Sequence, residues 1–510
     1  MTATTYGEAL ARHAAERPAQ IAVRFQDRTC DYAELDRRAN RIARAFVAAG
    51  CEPGARIAYV GKNSDRTVEL IAGAARANVV LVPIIWRLAP AEIMTIIRDC
   101  EAAMLFVEDA FINVADGFDG PVVQMETGFD DWRDAQADTP LGIAVSPDDV
   151  LLQLYTSGTT GTPKGVMLTH ANGTATRKRL KKEGIYWYAP DAGDTGILAM
   201  PYGHIAGIGM ALNGLLSGME VIVHAEFDPL LTMTDIARHQ VKWIFLVPAA
   251  LRIMLAHPEA DRADFSSVRG LTYGASPIPL DLLKEGVERL KCGFAQLYGL
   301  TETFGTVVTL SPEDHLPGRE HTLRSAGQAL PGMELRILGE DLEALGANET
   351  GEIAIRGPAI MAGYWKREEE TARVMLDGGW FRTGDAGYLD EDGYLFIQDR
   401  IKDMIVSGGE NVYPAEVESA LYGHPAIADV AVIGVPDDAW GEAVKAVVVR
   451  KPGTDLQAGD VIAYARERIA GFKCPKSVDF IAELPRNPSG KILRRTLREP
   501  YWAGRDRQVN

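Results

Sequence analysis

The alternation of apolar and polar positions along the first hundred residues predicts a regular succession of helices and strands. Tyr6–Arg17 has helical spacing, with Tyr6, Leu10 and Ala14 on one face. Ile21–Phe25 and Arg28–Asp31 predict a short hairpin. In Tyr32–Gly50, Leu35, Ala39, Ile42, Ala43 and Phe46 share one helical face, and Gly50 supplies a stop. Arg56–Val60, Thr67–Ala77, Val79–Ile84 and Ala89–Cys100 then read strand, helix, strand, helix, followed by a short strand at Met104–Glu108. Such alternation predicts a parallel sheet covered by helices. Phe118–Gly142 is turn-rich and is expected at the surface. Further buried strands are expected at Asp149–Tyr155, Trp243–Val247 and Val268–Tyr273, and a smaller β unit at Gly351–Arg356 and Gly357–Trp365. After about residue 400 the pattern changes: a helix at Pro414–Tyr422, strands at Ile427–Val435 and Glu442–Arg450, and a helix at Asp460–Ile469 with Val461, Ile462 and Ala465 inward. That is the size of an independent small α+β unit.

Composition narrows the function classes. The chain has 510 residues, 47% hydrophobic and 24% charged, long enough for more than one globular domain. A formal charge of −17 argues against a nucleic-acid partner, which needs a basic face. Cys30, Cys51, Cys100, Cys292 and Cys474 are odd in number and widely spaced, so neither a disulfide framework nor a structural zinc site is expected. The N-terminus carries Glu8, Arg12 and Glu16 and lacks a signal-peptide core. Val68–Trp86, the best candidate for a membrane span, is broken by Glu69, Arg76 and Asn78 and is too polar for a spanning helix. A soluble cytoplasmic protein, monomer or homodimer, is expected, with peripheral membrane contact left open.

The chemistry concentrates in Tyr155–Gly165, YTSGTTGTPKG. Its glycines let backbone N–H groups approach an anion and form a nest. Thr156, Ser157, Thr159 and Thr160 add hydroxyl donors, and Lys164 a point charge suited to phosphate. The nucleotide loop G-x-x-x-x-G-K-[ST] does not fit, because Gly158 and Gly161 are three apart and Gly165 follows Lys164. A flexible linker is the bland alternative. Pro163 and the immediate return to apolar residues disfavour it. In Gln296–Thr303, QLYGLTET, Tyr298 offers a face for a purine, Thr301 a donor for phosphate and Glu302 a hard oxygen ligand for Mg²⁺. Asp385, in WFRTGD, can accept two hydrogen bonds from a ribose diol, against the alternative of an ordinary turn aspartate.

YTSGTTGTPKG resembles the phosphate-binding loop of the adenylate-forming superfamily, and the resemblance runs motif by motif to Lys491, nearest to bacterial fatty-acyl-CoA synthetases. It implies an α/β fold: a large N-terminal domain of mixed sheets with covering helices and a β unit (1–398), a hinge (399–402) and a small mobile α+β domain (403–510). For ATP it implies the loop just described, an adenine site at Gly274, Ala275 and Ser276 continuing through Gln296, Tyr298, Gly299 and Thr301, and a ribose site at Asp385 and Arg400. Lys402 becomes the hinge residue. For Asp403 a solvated turn charge is the better reading. Lys491, in PRNPSGK, becomes the adenylation lysine. CoA would meet Arg87, the Gly408-Gly409 turn, Phe472, Lys473 and Lys476. Without the resemblance, Arg87 is an ordinary solvated charge. His204, in PYGHIAG, would stand beside the acyl pocket rather than serve as a core histidine. Gly203 occupies the place where the family usually has an aromatic residue.

These parts imply activation of a carboxylic acid by ATP with Mg²⁺, then thioester formation with CoA. The expected acid is a medium- to long-chain fatty acid or another bulky apolar monocarboxylate. Gly203, Ala206, Gly207 and Gly209 are small, and no lysine or arginine lies between Pro201 and Gly218 to pair a second carboxylate. The expected pocket comprises Tyr202, Gly203, His204, Gly207, Trp243 and Gly274. An aryl acid is the runner-up, held in a flat slot of Tyr202, Trp243 and Tyr273. Loading of a carrier protein and a luciferase-like oxidase are alternatives within the superfamily. A non-catalytic nucleotide-binding protein is the alternative outside it, disfavoured because Glu302, Asp385, Arg400 and Lys491 occur together.

Overall fold

The computed structural model describes residues 3–157, 163–185, 190–408, 410–437, 440–486 and 492–503. The side chains of Ser157 and Lys402 also lie outside the described set. Among the described residues the chain forms four sheets with covering helices. The expected large N-terminal α/β unit and smaller C-terminal α+β unit are both present.

The nine-stranded sheet is parallel through its middle. Gly293–Tyr298, Gly270–Gly274, Trp243–Leu246, Thr195–Leu198, Glu220–Val223 and Ile21–Phe25 run side by side in one direction. Their carboxyl ends therefore open on one edge, where α/β sheets hold ligands. The seven-stranded sheet is parallel over Val122–Gln124, Met104–Val107, Arg56–Val60, Val80–Ile84 and Val150–Ser157. Val150–Ser157 then turns back antiparallel into Pro163–Thr169. A third sheet contains Gly351–Arg356, Trp380–Leu389 and Leu395–Arg400. The C-terminal unit is built on the hairpin Ile427–Asp437 and Gly441–Arg450, with helix Pro414–Tyr422 against it.

Boundaries follow the expected capping chemistry. The helix expected to begin at Thr67 begins at Asp65, because the Ser64 side chain accepts the Thr67 N–H at 3.3 Å. Glu69, on that helix, is 1% exposed yet ion-paired to Arg38 at 2.7 Å and Arg133 at 2.6 Å. No helix among the described residues is long and apolar enough to cross a membrane. Phe118–Gly142 departs from the expected surface loop. It contains strand Val122–Gln124 and helix Phe129–Asp134. Phe129 is fully buried, and Trp132 packs edge-on against Phe46 and Phe106. The two aromatics stand three apart, one helical step, so an acidic stretch still buries one face. All five cysteines are unpaired, and four of them are buried.

Candidate active site

The ends of these strands gather most of the residues singled out for nucleotide chemistry. Val150–Ser157 delivers Thr156 opposite Lys164 in the hairpin register. Tyr155 anchors the hairpin by donating to Asp99 at 2.6 Å. Gly158, Thr159, Thr160 and Gly161 lie outside the described residues, as does Lys491. Lys164 is ion-paired with Glu370, and its ammonium lies 5.2 Å from the Tyr364 ring centroid. Tyr364 in turn donates to Glu302 Oε1 at 3.0 Å. Strand Gly363–Tyr364 pairs with Pro163–Thr169, which is why Tyr364 stands between the loop lysine and the acidic residue. Sequence reading placed Gly357–Trp365 in a small β unit and missed Tyr364. No periodicity marks it, because its position depends on pairing with a strand nearly two hundred residues earlier.

Glu302 sits in a single 3₁₀ turn, Thr301–Thr303, just past the end of Gly293–Tyr298. The turn is tight: a Cβ on Gly299 would lie 1.6 Å from Gly305 O, so only glycine fits at 299. Glu302 is 9% exposed, and its backbone carbonyl accepts the Met361 N–H at 2.8 Å. No cluster of three metal-ligating side chains occurs among the described residues. A single carboxylate linked through Tyr364 to Lys164 is nevertheless compatible with Mg²⁺, which binds through one or two carboxylates plus substrate phosphates.

On the neighbouring strand end, Gly274 has no room for a Cβ, which would lie 2.2 Å from Leu297 O. Ala275 follows in the left-handed region at φ 65, with Ser276 half-buried beyond it. Gln296 lies in register with Tyr273. Asp385 lies in strand Trp380–Leu389, not in the turn of the alternative reading. It is 5% exposed and accepts from the Tyr298 hydroxyl at 2.7 Å and from Arg400 Nε at 2.7 Å. Burial and the Asp385 charge push the Tyr298 phenol well above its ordinary value. Burial opposes the Arg400 charge, but the carboxylates around it, Asp385 foremost, hold its pKa above normal.

The residues expected in the acyl pocket come from the segment around helix Ile205–Ser217 and from strands Trp243–Leu246 and Gly270–Gly274. His204 occupies the N-cap position of helix Ile205–Ser217, without a side-chain cap bond to it, and is half-buried. Tyr202 is 2% exposed and hydrogen-bonded to Ser64 O at 3.3 Å. Trp243 stands at the amino end of its strand, in register with Gly270, roughly 13 Å along the sheet from Gly274. Its indole donates to Asp194 at 2.8 Å. Tyr273 is fully buried and bonded to His315 at 2.9 Å. The flat slot of Tyr202, Trp243 and Tyr273 is therefore not formed: each ring is committed to a different part of the core. Gly203 and Gly207 are packing glycines. Added Cβ atoms would lie 2.5 Å from Ile85 Cγ1 and 2.1 Å from Pro201 O, respectively. Gly209 differs, since a Cβ there meets nothing within 4 Å.

Of the residues expected to meet CoA, Gly408 and Lys476 converge on Trp440. Gly408 is at φ +63, where a Cβ would lie 2.4 Å from the indole, and Lys476 Nζ lies 5.9 Å from its ring centroid. Gly409 lies outside the described residues. Phe472 is exposed, and Lys473 is paired with Glu416 at 2.7 Å. Arg87 belongs to another cluster, stacked on Trp86 and paired with Glu226 at 2.6 Å. Asp403, expected as a solvated turn charge, faces Arg494 at 3.9 Å.

Residues 10–365 match the model of the AMP-binding enzyme family, and residues 416–491 match that of the AMP-binding enzyme C-terminal domain. The chain is 42% identical over 503 residues to the fatty acid–[acyl-carrier-protein] ligase ScoC of Streptomyces coeruleorubidus, covering 98% of this chain and 96% of that protein. It is 40% identical over 495 residues to a feruloyl-CoA synthase of an Amycolatopsis species, covering 96% and 98%. Among solved structures, ATP-bound MatB from Rhodopseudomonas palustris superposes with TM-score 0.89 at 31% identity, covering 98% of this chain and 99% of that one. Apo MatB, at 30% identity and covering 97% and 99%, gives 0.77.

Proposed function

Since this chain belongs to the AMP-binding enzymes and carries both parts of that family, we propose that it converts a bulky apolar monocarboxylic acid to an acyl-adenylate with ATP and passes the acyl group to CoA. The observation that carries this reading is the Asp385 carboxylate held between Tyr298 and Arg400, beside the Glu302–Tyr364–Lys164 chain. One set suits a ribose and the other a metal-bound polyphosphate.

In this reading a carboxylate oxygen of the acid attacks the α-phosphorus, the bond to the β-phosphate oxygen breaks, and pyrophosphate leaves. Catalysis is positioning and charge stabilisation. Asp385 and Arg400 fix the ribose, the turn at Gly274–Ser276 lies against adenine, and Lys164 and the loop hydroxyls hold the β- and γ-phosphates. Mg²⁺, held by Glu302 and the phosphates, would neutralise charge developing on the phosphate oxygens. Lys491 bridges carboxylate and α-phosphate. In the second step the thiol sulfur attacks the adenylate carbonyl, AMP leaves, and the thiol proton passes to solvent. The closer likeness to ATP-bound than to apo MatB supports reading the present arrangement as the nucleotide-holding one.

A fatty or other bulky acid is favoured by the open volume at Gly209 and by the absence of any lysine or arginine between Pro201 and Gly218. A second reading, transfer to an acyl carrier protein, is supported by the likeness to ScoC. The test is AMP release from ATP and Mg²⁺ with a panel of acids, supplied with CoA or with a phosphopantetheinylated carrier protein. CoA-dependent AMP release on apolar acids is expected. Release with the carrier protein alone would select the second reading. No release on any acid would overturn both.

A further inference from the structure

Asp399 ties the two parts of the molecule together. It lies in strand Leu395–Arg400, fixed in the N-terminal sheet by its register with Ala386. Its side chain reaches the other way. Oδ2 accepts the Ala415 N–H at 2.8 Å, in the first turn of helix Pro414–Tyr422. Oδ1 accepts the Arg400 N–H at 2.7 Å and lies 3.9 Å from Arg494 Nη1. A carboxylate in the first turn of a helix also meets the positive end of its dipole. Asp399 is 8% exposed, so these bonds form out of water, where their loss costs most.

Arg494 begins helix Arg494–Trp502, three residues beyond Lys491. Besides Asp399 it holds Glu418 at 2.8 Å and Asp403 at 3.9 Å. Glu418 and Asp403 lie beyond the strand that fixes Asp399. A rotation of the C-terminal unit about the hinge expected at Lys402 would leave the Arg494 pairs with Glu418 and Asp403 intact. It would break both bonds that Asp399 makes to that unit. The contacts of Asp399 with Ala415 and Arg494 therefore exist in one arrangement only.

We propose that Asp399 is a positioning residue that clasps the C-terminal unit in the nucleotide-holding arrangement, with Arg494 as its side-chain partner, and so sets the balance between the two half-reactions. The assignment rests on the two-step reading above. Asp399 touches neither substrate nor reacting atoms. It acts through where the C-terminal unit, and the lysine loop on it, is held.

The test uses full-length enzyme with spin labels at two exposed positions, Glu340→Cys and Lys451→Cys, and with the half-buried native thiol removed by Cys292→Ser. Asp399→Ala and Arg494→Gln should each move a measurable fraction of molecules to a second interlabel distance. Pyrophosphate exchange should fall three- to tenfold, while acyl transfer from a preformed acyl-adenylate stays at or above the wild-type rate. The double variant should lose little more than the worse single one, as expected for partners in one contact. Arg494→Gln leaves the acceptor for the Arg400 N–H in place and gives the same readout should Asp399→Ala fail to fold. Equal losses in both half-reactions with an unchanged distance distribution would overturn the proposal, as would wild-type behaviour in every measurement. If the wild type adenylates no acid, the two-step reading fails, and the interlabel distances alone decide the clasp.

Discussion

Arg400 and Asp385 face each other as a register pair in the hairpin formed by Trp380–Leu389 and Leu395–Arg400, with Arg400 Nε 2.7 Å from Asp385 Oδ1. The pair occupies one carboxylate oxygen and Tyr298 the other. Removing Asp385 leaves a charged and a neutral donor without their acceptor. Asp385→Ala should lower pyrophosphate exchange by at least a hundredfold. Tyr298→Phe keeps the aromatic face and loses one bond to a charged group, worth about 1.5–3 kcal/mol. It should raise the KM for ATP roughly tenfold or more by that measure. Unchanged ATP kinetics in Tyr298→Phe would detach this trio from the nucleotide.

Tyr364→Phe tests the link between the loop and the acidic residue. The ring stays over Lys164, and only the hydroxyl to Glu302 is lost. The fall in kcat/KM for MgATP should be about tenfold, with a raised Mg²⁺ requirement and little change in melting temperature. An unaltered Mg²⁺ titration would remove Tyr364 from the site.

The two glycines of the pocket segment should behave in opposite ways. Gly203 packs against Ile85, whose backbone N would lie 3.0 Å from an added Cβ. Gly203→Phe, the family's usual aromatic character at that place, should therefore lower the melting temperature instead of trimming the pocket. Even Gly203→Ala overpacks the site, a change that typically costs about 1–3 kcal/mol. Gly209 lies one helical turn beyond Ile205, on the same face. Ile205 points at Gly305, 3.3 Å from where its Cβ would be. Gly209→Leu should fold normally and lower kcat/KM for octanoate and palmitate at least tenfold while sparing acetate. Acetate or benzoate as the best substrate of the wild type would sink the large-pocket reading.

On the proposed reaction, Lys491 and Lys402 should be distinguished by half-reaction. Lys491→Ala should lose pyrophosphate formation by several orders of magnitude and retain acyl transfer from a preformed adenylate. Lys402→Pro fixes φ at the expected hinge and should slow thioester formation far more than adenylation. Equal losses in both steps for the first, or wild-type rates in both for the second, would reassign them.

His170 makes stability depend on pH. Its Nδ1 accepts the Tyr6 N–H at 3.3 Å, and burial pushes its pKa down from 6.5 to about 4. A group depressed in the fold contributes stability that is present above its unfolded pKa and lost as pH falls toward the folded one. The window is therefore from about 6.5 down to about 4. At pH 5 the loss is about 2 kcal/mol. His170→Asn, which keeps an acceptor, should flatten the change in melting temperature between pH 7 and pH 5. An equally steep profile in the variant would assign the dependence to other groups.

Much of the frame was legible in the sequence because it rests on local rules. The hairpin Ile21–Phe25 and Arg28–Asp31, the strands Arg56–Val60 and Gly351–Arg356 and the helix Pro414–Tyr422 form where alternation and turn residues indicated. What escaped is non-local. Tyr364 reaches Glu302 only because strand Gly363–Tyr364 joins the edge of the hairpin. Arg494 matters through Asp399, Asp403 and Glu418, which no spacing rule connects to it. Tyr202, Trp243 and Tyr273 show the converse. Aromatic type alone suggested a slot, but the direction of each ring is fixed by a core partner that the sequence does not reveal.

The pairing of Lys164 with Glu370 has a kinetic meaning for the forward reaction. The lysine that flanks the loop already holds an anion before any polyphosphate arrives, on the strand that pairs antiparallel with Val150–Ser157. An incoming tail must displace the glutamate, and a departing one is replaced by it. On the proposed reaction, Glu370 would compete with any polyphosphate for Lys164, weakening retention of free pyrophosphate and so disfavouring reversal of adenylation.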